Sequence, residues 1–481
     1  MYVGGVGGTG KSHVVNSILR LFDLLGKRKR ILVAAPTGAA AILIGGHTIH
    51  SLTMLPENRG KDLQELSRIW DGVDYLILDE VSMVGAKFLS QLNARITRAK
   101  GFTGPNCDLP FGGVNVIFTG DFGQLKPVRD LALYNHSLVK DPALDSCRGK
   151  VSIGALMGAY LWRIVNTVVL LKINQRQAQD RVYADLLSRV RIGEASSMDR
   201  AGQTSDYAVL KSRYADRLAS VDRDNLDRFR DAPVIVGRRK LRDLLNLRIM
   251  GHHAESISAT VHLYHARDKI AGKEVTGDDR LHLWKVSSTV TQDSLGKLPL
   301  FPGMKVMVQE NLAFGNRVVN GTEGTVKDII FEEEDGVRYP SVVYIHVPGA
   351  GKLGIDAPND IVPIFPAWSS FPWSRPTDGE PVPVSVSRMQ LPLLPAYAYT
   401  DYKSQGRSLD SAIIDPASAS TIQGVYVMLS RVRALDGLAV LRPFKPAKIE
   451  QRLSEELRDE FQRLNELDDL TRSDFATAFN T

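Results

Sequence analysis

Cysteine is nearly absent: the 481 residues contain two, Cys107 and Cys147. That excludes a disulfide framework and a Cys-rich zinc module. No stretch approaches the ~18 consecutive uncharged apolar residues of a membrane-spanning helix. The opening MYVGGVGGTGKS has no apolar core of the kind a secretory leader carries. Neither sign of charge dominates. With 60 Lys and Arg against 54 Asp and Glu the net charge is +6, so a polyanionic partner is compatible with the balance but not demanded by it. Internal repeats and low-complexity tracts are missing too. What is present, 43% hydrophobic and 24% charged residues, is enough for two or three domain cores. It points to a soluble, intracellular, multi-domain protein.

Short β-branched runs alternate with helical patterns over the first 170 residues or so. Ile31–Ala35, Tyr75–Leu78, Val114–Thr119 and Val168–Leu171 are bounded by turn or polar residues, as buried parallel strands are. A second set, Pro233–Val236, Ala412–Ile414 and Leu438–Leu441, suggests a second unit of the same kind. Between them, 302–365 reads as short strands with turn signals, including Asp335-Gly336 after an acidic run. A small antiparallel barrel inserted in the second unit is expected there. Residues 366–390, rich in Pro and carrying Trp368, Phe371 and Trp373, read as a loop. From about Ile449 the tail is net acidic, and 446–481 ends in an amphipathic helix with Ile449, Leu453, Leu457, Phe461 and Leu464 on one face.

Gly5-Val6-Gly7-Gly8-Thr9-Gly10-Lys11-Ser12 has the spacing G-x-x-x-x-G-K-[ST]. Glycines let several N–H groups point at one phosphate, with the dipole of a following helix behind them. Lys11 is then placed for the β- and γ-phosphates and the Ser12 hydroxyl for Mg²⁺. The plainer alternative is a Gly-rich turn with an incidental lysine, but the helical pattern Val14, Ile18, Leu19, Leu21 follows at once. Leu76-Ile77-Leu78-Asp79-Glu80 is an apolar strand ending in two carboxylates. Asp79 suits a metal role, and Glu80 suits orienting and deprotonating an attacking water. Phe118-Thr119-Gly120-Asp121-Phe122-Gly123-Gln124-Leu125 repeats that geometry, with Gln124 a γ-phosphate contact and Asp121 the group that fixes its loop. Arg176 and Arg431 are candidates for neutralising charge in the transition state, although a single arginine is ordinarily a solvated surface residue.

The order of these motifs resembles the superfamily 1 helicases of the 5′→3′ branch, most closely the petite-integration-frequency (PIF) type, relatives of RecD. The likeness is carried by the P-loop, by Ala35-Pro36-Thr37-Gly38, and by Gly46-His47-Thr48-Ile49-His50-Ser51. Asp79-Glu80-Val81-Ser82-Met83, Pro110-Phe111-Gly112-Gly113 and Gly120–Leu125 continue it. Val319-Asn320-Gly321-Thr322, Lys403-Ser404-Gln405-Gly406 and Tyr426-Val427-Met428-Leu429-Ser430-Arg431 complete it.

The resemblance implies two RecA-like P-loop domains, 1–200 and 201–445, with ATP and Mg²⁺ in the cleft between them. Lys11, Asp79, Glu80, Gln124, Arg176 and Arg431 are the implied catalytic set. Gly5, Gly7, Gly8, Thr9, Gly10, Lys11, Ser12 and Gly406 are implied to hold the nucleotide, and Ser12 and Asp79 the metal. Single-stranded DNA is implied to meet Pro36, Thr37, Thr48, His50 and Ser51 on the first domain, and Asn320, Lys403, Ser404 and Gln405 on the second. A short wedge insert is implied at 52–72. The implied activity is ATP-dependent 5′→3′ unwinding of duplex and forked DNA in repair, recombination and telomere maintenance. It would act as a monomer, in the nucleus or alternatively the mitochondrion.

Departures from the family pattern are readable. Only Met1-Tyr2-Val3 precedes the P-loop, so a shortened central strand and a missing adenine-contacting motif are expected, as in a truncated copy. Tyr402 stands where a histidine is usual, Lys126 where a second proline is commoner, and Glu323 where an arginine is usual. Two other readings compete: a nucleic-acid-stimulated ATPase that translocates without separating strands, and a truncated, mobile-element-derived relic that only binds DNA. Bland readings exist for single features: His50 as a core histidine, Trp368, Phe371 and Trp373 as anchors of a loop, and the tail helix as a core cover.

Overall fold

Six strands form the central sheet of the first compact unit: β1 (Tyr2–Gly5), β2 (Ile31–Ala35), β3 (His47–Thr48), β4 (Tyr75–Leu78), β5 (Asn115–Gly120) and β6 (Val168–Leu171). Their order is β3-β2-β4-β5-β1-β6, with every pairing parallel. The computed structural model describes residues 1–481 except 56–61, 102–107, 139–151, 200–203, 222–226, 355–357, 377–379 and 480–481. Cys107, Cys147 and the middle of the expected wedge segment lie outside the described residues. The first unit comprises Met1–Arg223, Gly406–Ser411 and Ala419–Thr481; the second comprises Asp224–Gln405 and Ala412–Ser418. This division differs from the boundaries near 200 and 445 implied by the resemblance, because the segments that carry Gly406 and Arg431 pack with the P-loop unit.

The β-branched runs sit where both faces of a parallel sheet are covered. Ile31, Val33, Ala35 and Ile77 pack with Val15 and Leu19 of the helix α1 (Lys11–Leu24). On the other side Trp162 meets Tyr2, Phe118 and Phe122, edge to face, at ring separations of 5.3, 5.5 and 5.1 Å. Strand β1 pairs with Phe118–Gly120 on one side and Val168–Leu171 on the other. Parallel register brings the carboxyl ends of β1, β4 and β5 to one edge, where ligands bind in open α/β sheets.

The outer strand β6 is capped by the C-terminal helix Glu455–Phe479. Val168 N–H donates to Thr471 Oγ1 at 3.0 Å, and Leu170 N–H to Asp468 Oδ1 at 2.9 Å. Trp162 Nε1 donates to Glu460 at 2.8 Å. Helix side chains thus satisfy edge N–H groups that would otherwise invite another strand. Ile449 and Leu453 are buried but precede this helix, which corrects the expectation that both lie on it. The Pro446–Lys448 turn comes first, and the helix starts at Glu455-Glu456, where acidic side chains suit its dipole.

In the second unit Val234–Val236 lies between Ala398–Thr400 and Ala412–Asp415, again parallel. The barrel-like sheet has seven strands and reaches beyond 302–365. His262–His265, Lys297–Leu300 and Leu393–Pro395 join the strands within that range. Its core includes Leu298, Leu300, Val306, Val326, Val343 and Ile345. The expected turn at Asp335-Gly336 joins the long hairpin Glu323–Glu334/Val337–His346, both residues having positive φ.

Residues 366–390 are not a loop. Ala367–Arg375 and Val382–Gln390 form an antiparallel pair in a separate four-stranded sheet. Pro372 is tolerated because Ala367–Arg375 is an edge strand, and Pro383 because it lies outside the stretch of its strand that pairs on the second side, Val386–Met389. Phe371, Trp373 and Val386 face a small core with Val275 and Leu283, while Trp368 is exposed with Lys269 over its ring at 5.0 Å.

Candidate nucleotide and nucleic-acid site

The P-loop leaves β1 at Gly5 and turns into α1 at Lys11. Gly8 and Gly10 have φ of +94° and +91°, and a methyl at Gly8 would lie 2.5 Å from Arg176 Cβ. Position 8 therefore needs glycine for both backbone and space. The Gly8 carbonyl accepts from Gln175 N–H and Arg176 N–H at 2.9 and 3.1 Å, clasping segment 174–176 to the loop. Lys11 Nζ donates to the carbonyls of Gly5 and Val6 at 2.7 and 3.1 Å. Its pKa is lowered by burial, against the pull of Asp121, Glu80 and Asp79.

A cavity of about 390 Å³ opens beside the loop. Of the residues singled out from sequence, Gly7, Gly8, Gly10, Lys11, Ser12, Asp79, Glu80, Gln124, Arg176, Gly406 and Arg431 line it. Gly5 and Thr9 do not: the Gly5 carbonyl holds Lys11, and the Thr9 hydroxyl donates to Val6 O at 2.9 Å. Gln175, Ser408 and Arg433 line it as well, and nothing in their local sequence distinguishes them.

Asp79 is buried at the end of β4 and accepts from the Thr119 hydroxyl of β5. Glu80, the next residue, adopts φ +53° and ψ +43°, a left-handed conformation uncommon outside glycine and asparagine. A methyl at Gly406 would lie 3.8 Å from Glu80 Oε1. Asp121 is fully buried and accepts from Arg191 Nη2 at 2.7 Å and from Gly123 N–H at 2.9 Å. Burial pushes its carboxyl pKa up, but Arg191 outweighs this and holds it below the ordinary range. Asp121 thus fixes the loop that presents Gln124, as its position suggested. Arg191 was not legible, because it lies on a helix 70 residues further along.

Two arginines converge from different elements. Arg431 follows the helix Ile422–Leu429 and is buried. It donates from Nε to Val427 O at 2.8 Å and from Nη2 to Ser430 Oγ at 2.6 Å. Arg176 Nη1 donates to Ser430 O at 2.8 Å. Tyr183 and Gln177 donate to the carbonyls of Leu429 and Val432, each at 2.7 Å. Side chains of 176–183 thereby satisfy carbonyls left free at that helix end. Burial lowers the Arg431 pKa to about 10, helped by the Arg176 charge, so it remains cationic at neutral pH. Arg176 is lowered by burial in the same way.

The candidate nucleic-acid contacts fall in both units. In the first, Pro36 and Thr37 follow β2, and Thr37 Oγ1 accepts from Ala40 N–H at 3.3 Å. Thr48 Oγ1 accepts from Ser51 N–H at 3.2 Å, and Ser51 Oγ donates to Thr48 O at 2.8 Å. Both threonine hydroxyls therefore serve as helix N-caps. His50 is exposed, stacked on Phe88 at 5.1 Å, which removes the core-histidine reading. In the second unit Lys403 Nζ donates to Asn320 Oδ1, and to Gln309 Oε1 at 3.4 Å. Ser404 and Gln405 are buried, and the Ser404 hydroxyl donates to Asp401 O at 2.8 Å. Burial pushes the Asp401 carboxyl up to about 6, against the N–H of Tyr402.

Residues 1–200 match the family described as PIF1-like helicase. The chain is 26% identical over 511 residues to the ATP-dependent DNA helicase RRM3 of Saccharomyces cerevisiae, covering 96% of this chain and 65% of that protein. It is 28% identical over 458 residues to the ATP-dependent DNA helicase Pif1 of Bdellovibrio bacteriovorus, covering 92% of this chain and 84% of that one. It thus spans under two thirds of the yeast relative's length. Among solved structures, Bacteroides Pif1 in complex with ADP-AlF3 and ssDNA superposes with a TM-score of 0.66 at 24% identity, covering 97% of this chain and 93% of that one. That likeness is one of fold, an α/β architecture with parallel sheets and a barrel-like sheet. Together with the ordered motifs, these matches make the chain similar to the PIF1-like helicases.

Proposed function

We propose that the chain is an ATP-dependent 5′→3′ DNA helicase that couples hydrolysis to translocation on single-stranded DNA and to unwinding of duplex and forked DNA. The observation that carries this is the meeting of Lys11, Glu80, Gln124, Arg176 and Arg431 around one cavity next to the P-loop. A lysine, the buried Arg431 and the half-buried Arg176 there favour a polyphosphate, and a carboxylate at the strand end favours hydrolysis by water over transfer to another hydroxyl. Lys11 exchanges the Gly5 and Val6 carbonyls for phosphate oxygens. Glu80 orients the attacking water, and the arginines neutralise charge that develops on the terminal phosphate.

The donor set fits Mg²⁺. The Ser12 hydroxyl and the Asp79 carboxylate line the same cavity, and no group of three or more His, Cys, Asp or Glu able to hold a metal occurs among the described residues. A hard cation shared between one or two protein oxygens and phosphate is the arrangement such a set supports. When bound, the ion withdraws charge from the phosphate oxygens. Pro36, Thr37, Thr48, His50 and Ser51, with Asn320, Lys403, Ser404 and Gln405, are proposed to contact the strand. Action as a monomer, in the nucleus or alternatively the mitochondrion, in DNA repair, recombination and telomere maintenance is proposed with it, on the likeness to PIF1-like relatives.

The experiment measures ATP hydrolysis with and without single-stranded DNA at two salt concentrations, then strand displacement on 5′- and 3′-tailed duplexes. Stimulation by DNA that weakens with salt, because phosphate contacts release counterions, and displacement only from the 5′ tail are expected. Stimulated hydrolysis without displacement on either tail would replace the helicase reading with that of a translocase.

A further inference from the structure

Gly7 N–H donates to the Tyr426 hydroxyl at 3.1 Å. The same hydroxyl donates to Asp121 Oδ2 at 3.3 Å, and Arg191 Nε and Nη2 hold the opposite carboxylate oxygen at 2.9 and 2.7 Å. The direction of this relay is set by chemistry. A backbone N–H can only donate, a carboxylate paired with a guanidinium can only accept, and a hydroxyl has one proton to give. Tyr426 and Asp121 are fully buried, so each of these bonds replaces one that water cannot supply.

Two of the cavity's other phosphate-seeking groups also lie near Gly7. A methyl on Gly7 would lie 3.5 Å from Tyr426 Oη, 3.7 Å from Gln124 Nε2 and 3.8 Å from Arg176 Nη1. A main-chain N–H, an amide and a guanidinium brought to one point form a cradle for an anionic group. Under the nucleotide-site reading above, on which this inference rests, that group is the terminal phosphate of ATP.

We propose that Tyr426 is a positioning residue that responds to the γ-phosphate: its hydroxyl occupies the Gly7 N–H until a γ-phosphate oxygen takes that donor, and so opposes binding of ATP but not of ADP. ADP brings no oxygen to this point and leaves the Gly7–Tyr426 bond in place. The Tyr426 hydroxyl thus competes with the γ-phosphate alone. Its removal leaves the Gly7 N–H without that partner, so the γ-phosphate binds without displacing anything.

The test titrates the full chain and its Tyr426→Phe variant with a fluorescent ADP and a fluorescent non-hydrolysable ATP analogue. The variant is expected to bind the ATP analogue about 5-fold tighter, the order of one neutral hydrogen bond, with ADP affinity within twofold of the parent. An unchanged ratio of the two affinities overturns the assignment. So does a parallel loss of both, which would make the hydroxyl a support of the fold. Retained ADP binding certifies that the variant is folded. A parent chain that binds neither nucleotide defeats the nucleotide site itself, whereas a parent that binds both, with an unmoved ratio in the variant, defeats only the role of Tyr426.

Discussion

Arg176 Nη1 donates at 2.8 Å to the main-chain carbonyl of Ser430, the residue directly before Arg431. Ser430 also receives Arg431 Nη2 on its hydroxyl at 2.6 Å, so one residue contacts both guanidinium groups. These acceptors are neutral oxygens, which orient a cation without cancelling its charge. Both arginines line the cavity that holds Lys11.

If Arg431 neutralises the transition state, its planar fork matters as much as its charge. Arg431→Lys is expected to lower the DNA-stimulated kcat by ~10³ or more, while nucleotide affinity measured by direct titration stays within a few-fold of the parent. A kcat within tenfold of the parent would remove Arg431 from the catalytic set.

Lys11 is held by two loop carbonyls, at 2.7 Å in the case of Gly5, and its proposed role is to exchange them for phosphate oxygens. Lys11→Ala should abolish ATP hydrolysis and leave single-stranded DNA binding intact, read by anisotropy of a labelled oligonucleotide. Residual strand displacement in this variant would contradict the site assignment.

The cap on the sheet edge makes a stability prediction. Thr471 accepts from Val168 N–H at 3.0 Å and is itself buried. Thr471→Val keeps the shape and removes the acceptor, leaving a buried edge N–H unsatisfied at a cost of ~1–3 kcal/mol. The urea midpoint should fall, while kcat at low temperature stays near that of the parent. An unchanged midpoint would show that the helix contributes packing alone.

Asp401 supplies a pH dependence. Burial raises its folded-state pKa to about 6 from 3.8, so between these values the folded chain binds more protons than the unfolded one. The stability contribution is full below about pH 4 and is lost as pH rises to 6, by up to about 3 kcal/mol. Asp401→Asn mimics the protonated side chain. It should therefore be more stable than the parent at pH 7, with the gap closing towards pH 4 in urea titrations. A gap that is constant with pH would place the Asp401 titration elsewhere.

Much of the site was legible because its parts are contiguous. The turn Gly5–Ser12 needs glycines and a lysine at fixed offsets, and Asp79-Glu80 needs only a buried strand that stops at the sheet edge. Asp121 could be assigned to its own loop, since one of its bonds, from Gly123 N–H, spans two residues. The segment 366–390 misled because its prolines mask a period-two pattern in which Phe371 and Trp373 point one way and Trp368 the other. Prolines deny a ladder only where an N–H is needed, and an edge strand leaves one side free.

The sequence by itself determined which residue types stand around the cavity: the glycine-rich loop with its lysine, the carboxylates that end β4, and the two candidate arginines. Each follows from short-range spacing, and local geometry depends on neighbours in the chain. Only the tertiary structure decided which groups meet. Tyr426 reaches Gly7 across 419 residues, and Thr471 caps Val168 across 303. A hydrogen bond between groups so far apart leaves no periodicity or offset in either segment. It exists because parallel strands bring their carboxyl ends to one edge and a helix near residue 426 is clasped against that edge by Arg176, Gln177 and Tyr183.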